Sequence, residues 1–250
     1  RRTALRNISL FLRSLLFMTI MIVATIVWAC VCFFAAPLSY NKRYWVTSRW
    51  NVFILWCAKV ICGIRYEVKG AENFPDAPAI VLSKHQSAWE TIFLLPSLPR
   101  PLVYVFKKEI LYIPFFGWAM ALLRMIPIDR KQGKHAFKSV VAHGKRRLAD
   151  GQWIIMFPEG TRIPVGQAGK YKSGGTRLAI ATGAVVVPIA HNSGECWPKQ
   201  SFLKRPGLIT VSIGKPISPE GQTPDSMMQQ VENWIESEMR VISPHAYNAG

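Results

Sequence analysis

Several common chemistries have no signature in this 250-residue sequence. Its five cysteines, Cys30, Cys32, Cys57, Cys62 and Cys196, form no Cys-x-x-Cys pair and no Cys/His spacing of a zinc site. No His-Glu-x-x-His segment marks a zinc protease, and no Gly-x-Ser-x-Gly elbow marks a serine hydrolase. The nucleotide cradles Gly-x-x-x-x-Gly-Lys-Ser/Thr and Gly-x-Gly-x-x-Gly are both missing, although Gly166–Gly175 is a glycine- and lysine-rich loop. Acidic residues are few, 14 against 31 Lys and Arg, for a formal net charge of +17. There is no internal repeat and no low-complexity tract. The scattered cysteines read as reduced, buried thiols, which points to a cytosol-facing body rather than a secreted one.

Half of the residues are hydrophobic, more than an ordinary soluble domain needs. An apolar yet strongly basic chain suits contact with anionic lipid or with acidic substrates. A nucleic-acid binder shows the same charge, but the long apolar segment makes that the weaker reading. Leu15 to Ala36 is apolar throughout except for Thr19 and Thr25, a run of 22 residues. A helix crosses the hydrocarbon core with about 20. The run is longer than a signal-peptide core and no small-x-small cleavage site follows it, so a retained membrane helix is expected. Arg1, Arg2, Arg6 and Arg13 flank one end; Lys42, Arg43 and Arg49 flank the other. Positive-inside logic wants asymmetry. A hairpin that dips into one leaflet keeps both clusters on one side, with Trp45 to Cys62 as its second, interfacial arm. The organisation expected is therefore residues 1–62 as a membrane helix or helical hairpin and residues 63–250 as the α/β domain.

From Ile64 onwards, short apolar runs alternate with helical patterns. Strands are expected at 64–69, 79–82, 102–106, 125–128, 153–157, 185–189 and 208–213. Helices are expected at 87–95, stopped before Pro96, and at 115–123, 134–148, 176–182 and 224–240. This alternation predicts an α/β fold, a mixed or mostly parallel sheet flanked by helices.

His85 and Glu90 fall five residues apart. On one continuous helix they diverge by about 140°. They meet only if His85 sits on the strand-to-helix turn and Glu90 reaches back from the first helical turn. A carboxylate on one ring nitrogen fixes the tautomer, and the other nitrogen can then accept a proton from a hydroxyl. This is a triad without its serine, so the substrate supplies the hydroxyl. Ser87-x-x-Glu90 also fits a capping box, in which both side chains serve backbone N–H groups. Further on, Phe157-Pro158-Glu159-Gly160-Thr161-Arg162 reads as a sharp turn projecting charged groups. An arginine there can hold a phosphate through paired hydrogen bonds, whereas a local Glu–Arg pair on a surface turn is the plain alternative.

With these two elements the chain resembles the glycerolipid acyltransferases, specifically the bacterial-type 1-acylglycerol-3-phosphate acyltransferases. Ile126-Pro127-Ile128-Asp129-Arg130 and Val187-Pro188-Ile189 look like two further blocks of that family, in order. Phe106 to Glu109, running to Ile113-Pro114-Phe115-Phe116-Gly117, also looks like one of its segments. The likeness covers roughly residues 64–215. It implies transfer of a fatty acyl group from an acyl thioester to a lysophospholipid hydroxyl. Lysophosphatidate is the first expected acceptor; another lysolipid, or a thioester or phospholipid hydrolase, is the alternative. A non-catalytic membrane scaffold leaves the order of four blocks to accident. By the same likeness His85 is the general base and Glu90 orients it. Glu159, Gly160, Thr161 and Arg162 border the acceptor, and Arg130, Lys107 and Lys108 join Arg162 on its phosphate. No metal and no cofactor are needed: the co-substrate is acyl-CoA or an acyl carrier protein thioester. Partners are those two substrates and anionic membrane lipid, with no nucleic acid, at the cytoplasmic face of a bacterial inner membrane. The family carries a two-helix membrane motif and usually has aspartate where this chain has Glu90.

Overall fold

The computed structural model describes residues 2–247. Arg1, counted above in the basic flank, and residues 248–250 of the second region lie outside the described residues. Helix α1 spans Arg2–Ala35 and α2 spans Tyr40–Cys62. Their contacts run antiparallel: Arg13 Nε donates to Ile61 O at 2.6 Å, Trp28 Nε1 donates to Val46 O at 2.9 Å, and Cys32 Sγ meets Thr47 Oγ1 at 3.5 Å. The hairpin ends at Gly63, whose φ of +70° caps α2. The apolar run thus becomes most of α1. Within Ala4–Ala35 an 18-residue window has a mean hydropathy of 2.6 and is only 11% buried, so this helix is long and apolar enough to cross a membrane. α2 starts five residues before its expected limit and presents Trp45 and Trp56 outward.

The body is a seven-stranded mixed sheet in the order β1-β7-β6-β2-β5-β3-β4. The strands are β1 (Ile64–Lys69), β2 (Ile80–Ser83), β3 (Leu102–Lys107), β4 (Ile126–Ile128), β5 (Trp153–Met156), β6 (Val186–His191) and β7 (Gly207–Ile213). Every pairing is parallel except β6 with β7. Central β2 and β6 are buried at every position, as strands covered on both faces must be. The flanking helices are α3 (Trp89–Ser97), α4 (Phe116–Leu122), α5 (Lys134–Ala149), α6 (Gly174–Thr182), α7 (Ser193–Cys196), α8 (Pro224–Ile242) and α9 (Pro244–Tyr247). α8 buries Met227, Val231, Ile235 and Met239, four residues apart on one face.

One helix differs instructively from its expectation. α3 passes through Pro96 rather than stopping before it. Proline has no N–H for the carbonyl four residues back. That carbonyl, Ile92 O, instead accepts from Asn51 Nδ2 of α2 at 2.9 Å. Tyr44 of the same helix donates to Leu95 O at 2.6 Å. A partner two elements away thus satisfies the break, and it docks the hairpin onto the helix that carries Glu90. α1 is tied down as well, through Lys204 N–H to Ser14 Oγ at 2.9 Å and Phe17 edge-on to Trp197.

Candidate active site

His85 follows β2 by two residues, at the carboxyl end of the parallel strands, where α/β sheets leave a crevice for ligands. Its Nδ1 lies 2.8 Å from Glu90 Oε1. Glu90 sits in the first turn of α3, 1% exposed, and reaches back as the spacing requires. The carboxylate also accepts from Gln86 N–H at 2.8 Å, Ser87 N–H at 3.0 Å, Ser87 Oγ at 3.0 Å and Ser193 Oγ at 2.8 Å. Capping and orientation are therefore one arrangement: the carboxylate that satisfies the helix N-terminus also holds the histidine.

Burial pushes the Glu90 carboxyl up; His191, the hydrogen bond and charge of His85, and the Ser87 N–H outweigh that and bring it to about 2. His191 itself is driven down by its burial. Its Nε2 donates to Lys84 O at 2.6 Å while its Nδ1 accepts from Ser193 N–H, the pattern of a neutral ring. The donors on Glu90 and His85 therefore carry most of the stabilisation. An ionised Glu90 accepts only, so the proton between the pair belongs to His85 Nδ1, and the neutral tautomer this selects carries its lone pair on Nε2. Among the described residues no hydroxyl or thiol is hydrogen-bonded to the ring.

The turn at 157–163 is clamped onto His85 from three sides. Phe157 stacks on the imidazole with centroids 4.0 Å apart, Glu159 Oε1 accepts from His85 N–H at 3.3 Å, and Ile163 N–H donates to His85 O at 2.8 Å. Gly160 makes the bend with φ +69°. Two blocks far apart in sequence thus form one object.

A cavity of about 820 Å³ opens beside the imidazole. Its apolar part runs between Met21 and Trp28 of α1, Trp50 of α2, Leu95 of α3, and Phe116 and Met120 of α4. Its polar part is bordered by His85, Gly160, Thr161 and Arg162, with Lys107 and Arg130. Lys108 stands exposed next to Lys107 but outside the lining. Glu159 also stays outside it. The contact with an acceptor expected of Glu159 is not available from this position: its side chain is fully buried against Lys84 Nζ at 3.0 Å and Gly169 N–H at 3.0 Å. Three contributors carried no sequence signal. Lys199 joins the basic rim from the loop after α7 and donates to Arg162 O at 2.9 Å. Ser193 supports Glu90, and Lys84 anchors Glu159. No group of three or more His, Cys, Asp or Glu among the described residues is arranged to hold a metal ion.

A histidine with no protein hydroxyl or thiol on its ring, beside an apolar cavity with a cationic rim, suits an α/β transferase for amphipathic, anionic substrates. The Acyltransferase family profile matches residues 65–192, and the chain belongs to that family. It is 48% identical over 238 residues to the 1-acyl-sn-glycerol-3-phosphate acyltransferase of Pseudomonas aeruginosa, covering 93% of this chain and 92% of that protein. The alpha form of that enzyme from Mus musculus is 34% identical over 173 residues, 68% of this chain; the chain spans about 61% of the mouse protein's length. The crystal structure of the Thermotoga maritima 1-acyl-sn-glycerophosphate acyltransferase superposes with a TM-score of 0.80 over 95% of this chain and 98% of that one. At 23% identity this likeness concerns the fold.

Proposed function

We propose that this acyltransferase moves a fatty acyl group from an acyl thioester to the free hydroxyl of 1-acyl-sn-glycerol-3-phosphate, giving phosphatidic acid. The observation that carries the reading is the free Nε2 of His85 at a cavity that joins an apolar channel to a rim of Lys107, Arg130, Arg162 and Lys199. The apolar part suits acyl chains and the rim suits a phosphomonoester. The chain's 48% identity to the Pseudomonas enzyme of that name supports the same acceptor.

His85 Nε2 removes the acceptor's hydroxyl proton as the oxygen attacks the thioester carbonyl. The tetrahedral oxyanion collapses, the C–S bond breaks, and the leaving thiolate takes the proton from the imidazolium. Glu90 stabilises that imidazolium without itself becoming protonated. The donor carrier is coenzyme A or acyl carrier protein. Both work in the cytosol, in keeping with five free cysteines and with a site at the cytoplasmic face of a bacterial inner membrane. Anionic lipid then meets the basic flanks of the helical hairpin.

The test is His85→Ala in vesicles carrying lysophosphatidate and an acyl thioester. The ring is partly exposed at the cavity and Glu90 keeps its other donors, so the variant folds, and turnover falls by about 10²–10⁴. Wild-type turnover in the variant rejects the assignment. Thioester consumption by the wild type without acceptor identifies a hydrolase instead.

A further inference from the structure

Just after β3 the chain holds a run of large apolar side chains outward. Tyr112 is 75% exposed, Ile113 50%, Phe115 42%, Phe116 47% and Trp118 55%. Contiguous apolar patches on a folded surface mark interaction sites. Here the display is built into the backbone. Phe115 adopts φ +66°, a region that bulky residues avoid. The bend is closed by Phe116 N–H to Pro114 O at 2.7 Å and Gly117 N–H to Ile113 O at 2.8 Å. Gly117 is required, because a Cβ there would overlap the Leu111 carbonyl. Backbone geometry, rather than burial of their own side chains, therefore keeps these rings outside.

The surroundings say what covers them. Tyr and Trp beside Ile and Phe is the composition of a membrane–water interface. Around the patch, from residue 107 to 128, three cations, Lys107, Lys108 and Arg124, stand against one acid, Glu109. The patch also continues the bare face of α1. α4 packs against α1, whose Leu15, Ile22 and Ile26 are themselves exposed, and both helices wall the same cavity. A protein partner on the patch leaves that neighbouring face uncovered, whereas a bilayer covers both at once.

We propose that the segment 112–118 is a second membrane contact, seated in the interfacial layer of an anionic bilayer beside the cavity mouth. With α1 as the single contact, the whole molecule can tilt in the bilayer. A second point of contact fixes the basic rim against the headgroups, so a lipid acceptor slides in sideways without crossing water.

Two experiments on the full chain test this. In the first, a benzophenone amino acid replaces Tyr112 or Trp118, and the protein is reconstituted in vesicles of phosphatidylglycerol and phosphatidylethanolamine and irradiated. Lipid adducts from both positions are expected, with few from the exposed reference position Gln229. Equal labelling from Gln229, adducts with a second copy of the chain, or no lipid adduct overturns the proposal. The second experiment rests on the acyl-transfer reading. Tyr112→Ser, Ile113→Ser and Trp118→Ser are combined, none of the three lining the cavity. The rate on a short-chain lysophosphatidate that stays monomeric in water is unchanged. The apparent KM for the vesicle-borne acceptor rises about tenfold. An equal loss on both acceptors overturns the surface role. Should the wild type transfer no acyl group, the proposed reaction falls and the labelling alone decides the contact.

Discussion

Lys84 Nζ lies 3.0 Å from Glu159 Oε2 with both side chains fully buried, and the same ammonium lies 2.9 Å from Glu236 Oε1 of α8. Tyr171 donates to that Glu236 oxygen at 2.6 Å, and Gln167 O accepts from Lys84 at 3.2 Å. One cation next to His85 thus gathers the strand end, the 157–162 turn and the C-terminal helix. Burial pulls the Lys84 ammonium down, but Glu159 and Glu236 more than restore it. For Glu159 the balance is reversed: burial raises its carboxyl more than Lys84 lowers it. The two form a buried ion pair whose gain barely meets its desolvation cost and whose effect is to position.

Lys84→Met leaves Glu159 as a buried charge without its cation. The expected loss is about 3–5 kcal/mol of stability. Adding Glu159→Gln removes the orphaned charge and returns part of it. Thermal unfolding of the single and double variants in detergent measures the difference; identical values would show that the two side chains are not coupled.

Glu90 is the residue at which this chain departs from the aspartate of its relatives. Its longer side chain spans from α3 to Nδ1 of His85 while keeping the N–H groups of Gln86 and Ser87. Shortening it by a methylene cannot keep both sets of contacts without moving the backbone. Glu90→Asp is therefore expected to lower kcat by about 10²-fold with little change in acceptor KM, as misplacement by about an ångström does. Steady-state kinetics decide it. Full activity in the aspartate variant would mean that the turn adapts freely.

The same carboxylate links activity to acid stability. Its folded pKa of about 2 lies below the ordinary 4.5, so its contribution is complete above 4.5 and is lost as pH falls towards 2. Glu159, with its carboxyl raised, works with the opposite sign. The expected outcome is that wild-type Tm falls more steeply between pH 4.5 and 2 than that of Glu90→Gln. Parallel slopes would remove Glu90 as a source of acid sensitivity.

Most of the fold was legible because periodicity reports burial. Val186-Val187-Pro188-Ile189 reads as a strand despite its proline, and it is one. Pro188 faces the β7 side, where Gly214 and Ile217 pass in place of a regular rung, so its missing N–H costs little. The helix runs through Pro96 for the complementary reason: the donor that repairs α3 sits at Asn51, 41 residues before the Ile92 carbonyl it serves. His85, Glu90 and Arg162 were readable as candidate site residues from motif spacing. Lys84, Ser193 and Lys199 were not, because each acts through a tertiary contact with no local pattern. Glu159 was assigned by its motif to the substrate, and only the burial of Lys84 shows where its charge goes.

Lys199 also shapes what removing Arg162 should do. Its Nζ holds the Arg162 carbonyl at 2.9 Å, so it sets the direction of that turn as well as adding charge to the rim. Arg130 reaches the cavity from the edge of the sheet, after β4, with no hydrogen bond to either. A charged hydrogen bond is worth about 1.5–3 kcal/mol, so Arg162→Ala should raise the KM for lysophosphatidate by about ten- to a hundredfold. Turnover at saturation should change little, since the contact is present before and during the reaction. Monoacylglycerol, which has no phosphate, serves as the internal control, and its KM should not move. Combined with Lys199→Ala the effects should be less than additive, because the second change disturbs the same turn. Combined with Arg130→Ala they should add, because the two guanidinium groups approach the phosphate independently. Additivity in the first pair would separate Lys199 from Arg162, and an unchanged KM in Arg162→Ala would move the phosphate site to Arg130 and Lys107.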